Sequence, residues 1–395
     1  MNAPAEAAEF SQDDSLEWLA LSDPDMSTEE LEAVVMTLRS NRLSAGPQVE
    51  GFEMAFAHWL GREHACAVAS GTMGLALALK VMNIGPGDEV LTSAYAWHQI
   101  AHAISIVGAT PVLVDIDYWS GCIDAGKAAD KVTSRTKAIL ASNVNGHPAE
   151  WKTLRALADA RGLKLIEDST EAIGSVYDGQ MTGSFGDVAI FDFSQPSALC
   201  CGQGGMVVTN DPHIASELAY LRERRLSDRF SVSVGSRVPW QASMSDLDAA
   251  VGLVQLKRVD EILAKRKQVE AWYHEQMQSF EGIKPPYRAE HIDEVHWMLY
   301  KVHLGKRFTG SARNDIIEDM DTNAVECSIY CMPLHQQFHY QQLGYKRGQL
   351  GNTERIADRS LVLPLHGHLD EDHVRYIVKT LKDASVNVGA GAAIY

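Results

Sequence analysis

From about residue 65 onward, short apolar and β-branched runs alternate with stretches whose apolar positions recur at helical spacing. The runs at 65–69, 89–92, 111–115, 138–141, 163–167, 188–191 and 206–209 predict buried strands. Between them, 72–82, 98–107 and 150–160 predict helices. Strand and helix in alternation imply βαβ units and a mostly parallel sheet. Upstream, Ser27-Thr28-Glu29-Glu30 carries a capping-box signature, and Leu31, Val34, Val35 and Leu38 continue it at helical period. The segment 48–59 repeats that pattern around Phe52, Phe56 and Trp59. Downstream, VGLVQLKRVDEILAKRKQV (251–269) predicts one long helix leading out of this unit. A mixed region follows from about Trp272, closed by a helix at 370–382, and the small, apolar tail VNVGAGAAIY is expected to be mobile. The pattern predicts an α/β fold. A large domain (16–270) built on a mostly parallel sheet precedes a smaller C-terminal α+β domain (271–385), with a polar lead-in (1–15) and a flexible tail (386–395) at the ends.

Composition changes this picture little. The chain has 395 residues, 46% hydrophobic and 22% charged, enough for a large domain and a smaller one. A formal net charge of −17 argues against nucleic acid or an anionic membrane as partner, because phosphate contacts need clustered Lys and Arg. No apolar run approaches the roughly 20 residues that span a bilayer, and MNAPAEAAEFSQDD lacks the basic and apolar segments of a signal peptide. A cytoplasmic enzyme acting on a small molecule is the expectation. The six cysteines show no zinc-type spacing, so no metal is expected. The vicinal Cys200-Cys201 invite a nucleophile reading, but no His lies nearby in sequence and buried thiols are common.

Candidate chemistry concentrates between Leu163 and Gly205. The run LKLIED ends in the acidic pair Glu167-Asp168, at the carboxyl edge where α/β sheets bind ligands. A second strand leads into a turn-rich loop closing on Gly202, Gly204 and Gly205. Ser70-Gly71-Thr72 sits between a strand and a helix start, where free N–H groups either receive a phosphate or are simply capped.

The order of these pieces resembles the DegT/DnrJ/StrS group of nucleotide-sugar aminotransferases, pyridoxal phosphate enzymes of fold type I. Glu167-Asp168, Gly183-Ser184-Phe185-Gly186-Asp187, Phe191-Asp192-Phe193 and Gly202-Gln203-Gly204-Gly205 match its motifs in spacing. SAGPQVEGFEMAFAHWLG, ASGTMGLALAL, CSIYCMPLH and LVLPLHGHLDEDHVRYIV have counterparts as well, so the likeness runs from about Leu43 to Lys382. The resemblance implies an aspartate-aminotransferase-like large domain and a homodimer whose sites lie between subunits. It implies cofactor contacts at Gly71, Thr72, Met73, Trp97, Asp168 and Gln241. Trp97 would stack on the pyridine ring, and Asp168 would pair with its nitrogen.

The chain departs from that pattern where the chemistry is done. Ser197 stands where the family has its Schiff-base lysine, and no lysine lies between Lys164 and Lys257. Glu171 replaces a Gln beside the ring's phenolic oxygen, and Asp192 replaces a serine that donates to the phosphate. In PWQASMSDLDAA, Gln241 and Ser243 stand for the family's Asn and Arg. Carboxylates beside a phenolate and a phosphate repel them. Serine cannot form the imine, so ordinary transamination is not expected. Three readings remain. The protein binds pyridoxal or pyridoxamine phosphate non-covalently and runs an elimination on a keto-sugar, with His98 or His335 as base. Or no cofactor is bound, and Asp168, Glu171 and Asp192 form a carboxylate cluster suited to proton transfer. Or the chain is a catalytically silent partner of a lysine-bearing paralogue. Candidate catalytic residues are His98, Glu171, Asp192, Ser197, Tyr330 and His335, the last two in the SIYCMPLH segment.

Overall fold

The computed structural model describes residues 18–222, 238–278 and 282–392; the expected lead-in 1–15 lies outside them. Two helices open it, α1 (Thr28–Leu38) and α2 (Pro47–Leu60). The capping box forms as its sequence predicts, with the Ser27 side chain and Glu30 each satisfying an orphan amide of the first turn. The α/β body follows as β1 (His64–Val68), α3 (Gly71–Val81), β2 (Glu89–Ser93), α4 (His98–Ile106), β3 (Thr110–Val114), α5 (Ala125–Asp130), β4 (Thr136–Ser142), α6 (Trp151–Arg161) and β5 (Lys164–Asp168). A small hairpin, β6 (Val176–Tyr177) and β7 (Gln180–Met181), precedes β8 (Val188–Asp192), β9 (Gly205–Thr209) and α7 (Pro212–Arg222).

All the predicted strands enter one seven-stranded sheet of order β1-β9-β8-β5-β4-β2-β3. Pairing is parallel from β8 across to β3, and β9 alone runs against both of its neighbours. The two-residue side-chain period divides the sheet cleanly. Val68, Leu140, Ile190 and Val207 pack beneath α3, α4 and α7. Their alternates Ala67, Ala189, Phe191 and Met206 pack against Phe52 and Phe56 of α2. Ile139, Ala141 and Leu165 meet Trp151 and Leu154 of α6. Strands buried on both faces read as continuous apolar runs, which is how the sequence displayed them.

Two predictions fail after the sheet. The stretch 251–269 is not one helix but the joint between α8 (Asp246–Lys257) and α9 (Val259–Met277). The break falls at Arg258, whose guanidinium donates to Asp25 Oδ1 at 2.5 Å and to Glu30 Oε1 at 2.7 Å. Gln255 adds a bond to Glu30 at 2.7 Å, so α1 is clamped where α8 ends. The rest is β10 (Ile283–Lys284), β11 (Tyr300–Leu304), α10 (Gly310–Thr322), α11 (Phe338–Gln341), α12 (Gly351–Asp358), β12 (Ser360–Leu363) and α13 (Glu371–Ala392). β10, β11 and β12 form a separate antiparallel sheet. It is covered by α9, α10 and α13 through Tyr273, Ile316, Met320, Ile377 and Leu381. The second failure is the bound of the closing helix: expected over 370–382, α13 continues to Ala392, and 393–395 lie outside the described residues. No helix among the described residues is long and apolar enough to cross a membrane.

Candidate active site

The acidic pair at the end of β5 divides its labour. Glu167 is wholly buried and points into protein, where it accepts N–H bonds from Gly183 at 2.6 Å, Phe185 at 2.8 Å and Gly186 at 3.1 Å. Ser169 Oγ and Asn143 Nδ2 complete its shell. A buried carboxylate is tolerable when this many donors meet it. The motif Gly183–Asp187 thereby acquires a physical reason. Gly183 sits at φ +99, and a Cβ on Gly186 would lie 2.3 Å from the Val188 carbonyl oxygen, so neither position accepts a side chain while the loop wraps Glu167.

Asp168 turns the other way, onto a cavity that opens to solvent at the carboxyl edge of the sheet. Among the described residues its walls include Gly71, Thr72, Trp97, Gln99, Asp168, Thr170, Glu171, Asp192, Ser194, Gln195 and Met298. Among the described residues, three carboxylates line it and no lysine, arginine or histidine does. Burial raises the Asp168 carboxyl above its usual range, and the neighbouring Asp192 pushes in the same direction. Trp97 Nε1 and Gln99 Oε1 are buried without a partner among the described residues, leaving a donor and an acceptor on cavity residues unsatisfied.

At one end of the cavity the N-terminus of α3 points its first amide inward. Ser70 caps the helix by accepting the Met73 N–H at 3.3 Å. Asp192, the last residue of β8, accepts the Gly71 N–H on its Oδ2 at 2.7 Å. Its other oxygen takes the Ser194 N–H at 2.9 Å and the Ser194 hydroxyl. The positive end of the helix is therefore met by the chain's own carboxylate. The fit is close: a Cβ added to Gly71 would lie 2.8 Å from Asp192 Cβ.

At the other end Glu171 accepts the Asn145 N–H and the Tyr330 hydroxyl on one oxygen. Burial drives its carboxyl up to about 7, against the pull of these two hydrogen bonds. Asn145, at φ 54, pairs its side-chain amide with the backbone of Leu299 in both directions, at 3.0 and 3.1 Å. Glu171 is thus tied to the segment that supplies Met298 to the cavity.

Of the residues the sequence nominated, Gly71, Thr72, Trp97, Asp168, Glu171 and Asp192 come together on this cavity. Tyr330 reaches it only through Glu171. His335 does not reach it: the ring is fully buried and hydrogen-bonds Glu354 Oε1 at 2.9 Å through Nε2. Ser197 is off the wall, its hydroxyl accepting the Leu199 N–H at 3.2 Å, and Met73 packs beneath the sheet. Gln241 is exposed and touches no part of its own chain's cavity. His98 opens α4, and its side chain lies outside the described residues. The Cys200-Cys201 nucleophile reading fails, since both thiols are buried, absent from the cavity, and pushed up by desolvation rather than down. Among the polar wall residues and Met298, the sequence reading missed Gln99, Thr170, Ser194, Gln195 and Met298. Gln99 and Thr170 adjoin nominated residues and Ser194 and Gln195 lie between Asp192 and Ser197; Met298 comes from a segment with no local signal.

Residues 24–382 match the model of the DegT/DnrJ/EryC1/StrS aminotransferase family. The chain is 35% identical over 378 residues to the spore coat polysaccharide biosynthesis protein SpsC of Bacillus subtilis, covering 93% of this chain and 97% of that protein. It is 34% identical over 346 residues to the GDP-perosamine synthase of Caulobacter vibrioides, covering 87% and 91% respectively. Among solved structures, Spr1654 of Streptococcus pneumoniae in its PMP-form superposes with a TM-score of 0.91 at 25% identity, covering 95% of this chain and 100% of that one. The architecture is that of the fold-type I aminotransferases.

Proposed function

The chain belongs to the DegT/DnrJ/EryC1/StrS aminotransferase family, and from that premise we propose that it performs acid–base chemistry on this fold without the family's cofactor. The reaction is an elimination, dehydration or cyclisation of a small molecule in sugar or secondary-metabolite biosynthesis, with Glu171 moving the proton. The observation that carries this reading is the hydrogen bond from Gly71 N–H to Asp192 Oδ2 at 2.7 Å. A cofactor phosphate held at the N-terminus of α3 would compete for that amide with a carboxylate, and no basic residue among the described cavity walls offsets the repulsion. The residues present do not fit that group. Ser197, in place of the family's lysine, offers no amine for an imine.

Glu171 suits the proposed role. A carboxyl at about 7 populates both protonation states near neutrality, so it can accept a proton and return it. In a dehydration, the ionised carboxylate takes the proton from the carbon next to a carbonyl. A protonated carboxyl, Asp168 or Glu171, gives one to the departing hydroxyl, which leaves as water. Trp97 offers a flat face for an unsaturated substrate.

A second reading has one observation in its favour: Trp97 and Asp168 both stand on the cavity wall, where the family contacts the cofactor ring. On that reading pyridoxal or pyridoxamine phosphate binds non-covalently. The absorption spectrum of the desalted protein, recorded after incubation with each, separates the two. A featureless spectrum beyond 300 nm and no heat of binding are expected on the order of 100 μM cofactor, well above typical working affinities. A retained cofactor band overturns the cofactor-free reading.

A further inference from the structure

One buried cation stands close behind the cavity without belonging to it. Lys301 lies on β11 and is 2% exposed. Its Nζ sits 5.5 Å from the ring centroid of Tyr95 and 5.2 Å from that of Tyr330. The two rings are themselves 5.1 Å apart at 37°. Ammonium over aromatic faces is favourable, and more so when water is excluded. Tyr330 donates its hydroxyl to Glu171, so a continuous line runs from Lys301 through a phenol to a carboxyl on the cavity wall.

We propose that Lys301 is a positioning residue whose ammonium, held between Tyr95 and Tyr330, governs the proton that Glu171 exchanges with the cavity. The proposal rests on the reading of Glu171 as the proton-transfer group and adds the partner that adjusts it. The surrounding groups leave few alternatives. Around Lys301, burial pushes the Cys122 thiol up to about 12 and the Cys331 thiol well above its ordinary value. The His147 and His303 rings are driven down to about 4 and about 3, first by burial and then by the Lys301 charge itself. The Tyr95 and Tyr330 hydroxyls are held well above theirs, Tyr95 with Arg313 of α10 opposing. None of these groups changes charge near neutral pH. On the cavity side Asp168 acts on Glu171 in the opposite sense from Lys301, and Asp192 acts on Asp168. Burial pulls the Lys301 ammonium below its ordinary value, with Glu171 among the groups that oppose this; in its charged form Lys301 is the cation set against two carboxylates, and it favours the ionised form of Glu171.

The test reads each partner while the other is changed. In protein labelled at the glutamate δ-carbon, the Glu171 resonance, assigned by its loss in Glu171→Gln, should titrate near 7. In Lys301→Met that titration should move upward by about one pH unit, the low end of what an opposite charge imposes. Reciprocity requires that in Glu171→Gln the Lys301 ammonium, followed by an ε-carbon label, titrate lower by the same amount. The second measurement decides the matter even where Lys301→Met does not fold. An unmoved Glu171 titration in folded Lys301→Met, or an unmoved Lys301 titration in Glu171→Gln, overturns the proposal. Neither readout uses turnover or a cofactor, so cofactor binding would retire the proposed reaction and leave this coupling standing.

Discussion

Replacing Asp192 by serine vacates the anion position at the N-terminus of α3. The variant loses the acceptor that takes the Gly71 N–H at 2.7 Å and the Ser194 N–H at 2.9 Å. Losing an acceptor at a helix N-terminus costs about 1 kcal/mol, so in chloride buffer the variant should be less stable than the parent. The gain lies in what can then bind. A unit charge about 4 Å from another, at an effective dielectric of about 20, contributes roughly 4 kcal/mol of repulsion. Removing it should raise affinity for a phosphate by about 10³-fold, at 1.4 kcal/mol per decade. Inorganic phosphate is the simplest probe. Thermal unfolding of parent and variant would be followed in phosphate and in chloride at matched ionic strength, with calorimetry for the affinity. With phosphate at about 100 times its dissociation constant, the variant should regain about 2.7 kcal/mol and unfold above its own chloride midpoint. The parent should show no phosphate-dependent shift. A parent that binds phosphate as tightly as the variant would refute the reasoning, since the carboxylate would then not be guarding the helix terminus.

Three further outcomes follow from the same geometry. Glu171 is held at about 7 in the folded chain against 4.5 for the free side chain, so the folded state keeps its proton longer. Its stability cost is absent below 4.5, grows through the interval and is complete above 7, reaching roughly 3 kcal/mol at 1.36 kcal/mol per pH unit. Urea unfolding at pH 5 and pH 8 should show this loss in the parent and not in Glu171→Gln. Gly71→Ala should destabilise by about 1–3 kcal/mol, because its Cβ would stand 2.8 Å from Asp192 Cβ. In the Asp192→Ser background that cost should shrink, and a double-mutant cycle measures the difference. Arg258→Ala should cost about 3 kcal/mol, since it leaves Glu30 buried without a cation while Asp25 keeps Lys265 at 2.7 Å, and hydrogen exchange should rise first along α1.

What the sequence disclosed and what it hid have physical reasons. Strands buried on both faces, such as 188–191, are continuous apolar runs and read plainly. The joint at Arg258 was invisible because it depends on Asp25 and Glu30, more than 200 positions away in sequence. A helical period carries straight through such a break. The helix beyond Lys382 was hidden by its glycines and small residues, which read as a tail. Asp168, Glu171 and Asp192 were legible because they sit within one strand–loop–strand unit that the topology folds onto itself. His335 was nominated from its segment alone, and the Glu354 side chain that captures it could not be foreseen. Lys301 left a faint sign, a lysine within the otherwise uncharged buried strand YKVHL. Its meaning needed Tyr95 and Tyr330, which arrive from two other parts of the chain.

The departure at position 192 and the retained Asp168 bear on each other more than either does alone. The negative charge of Asp192 is met by two backbone amides, a hydroxyl and the dipole of α3, so the anion is well placed there. That same charge acts on Asp168, which burial already pushes toward keeping its proton. An aspartate that keeps a pyridine nitrogen protonated must itself be ionised, and Asp192 works against that. On the proposed reading, one carboxylate at the end of β8 therefore bears on two requirements of the family's chemistry: it would take the place of the phosphate at the N-terminus of α3 and would weaken the ring's counter-ion. What stands in the cavity beside it are two carboxyls, Asp168 and Glu171, whose ionisation is held back by burial. Groups displaced in this way suit a proton donor and acceptor working near neutral pH. On this account Asp192→Ser should lower the Asp168 titration as well as open the phosphate position. Carboxyl-carbon NMR of the variant would measure that fall, and an Asp168 titration that stays where it is in the parent would break the link between the two effects.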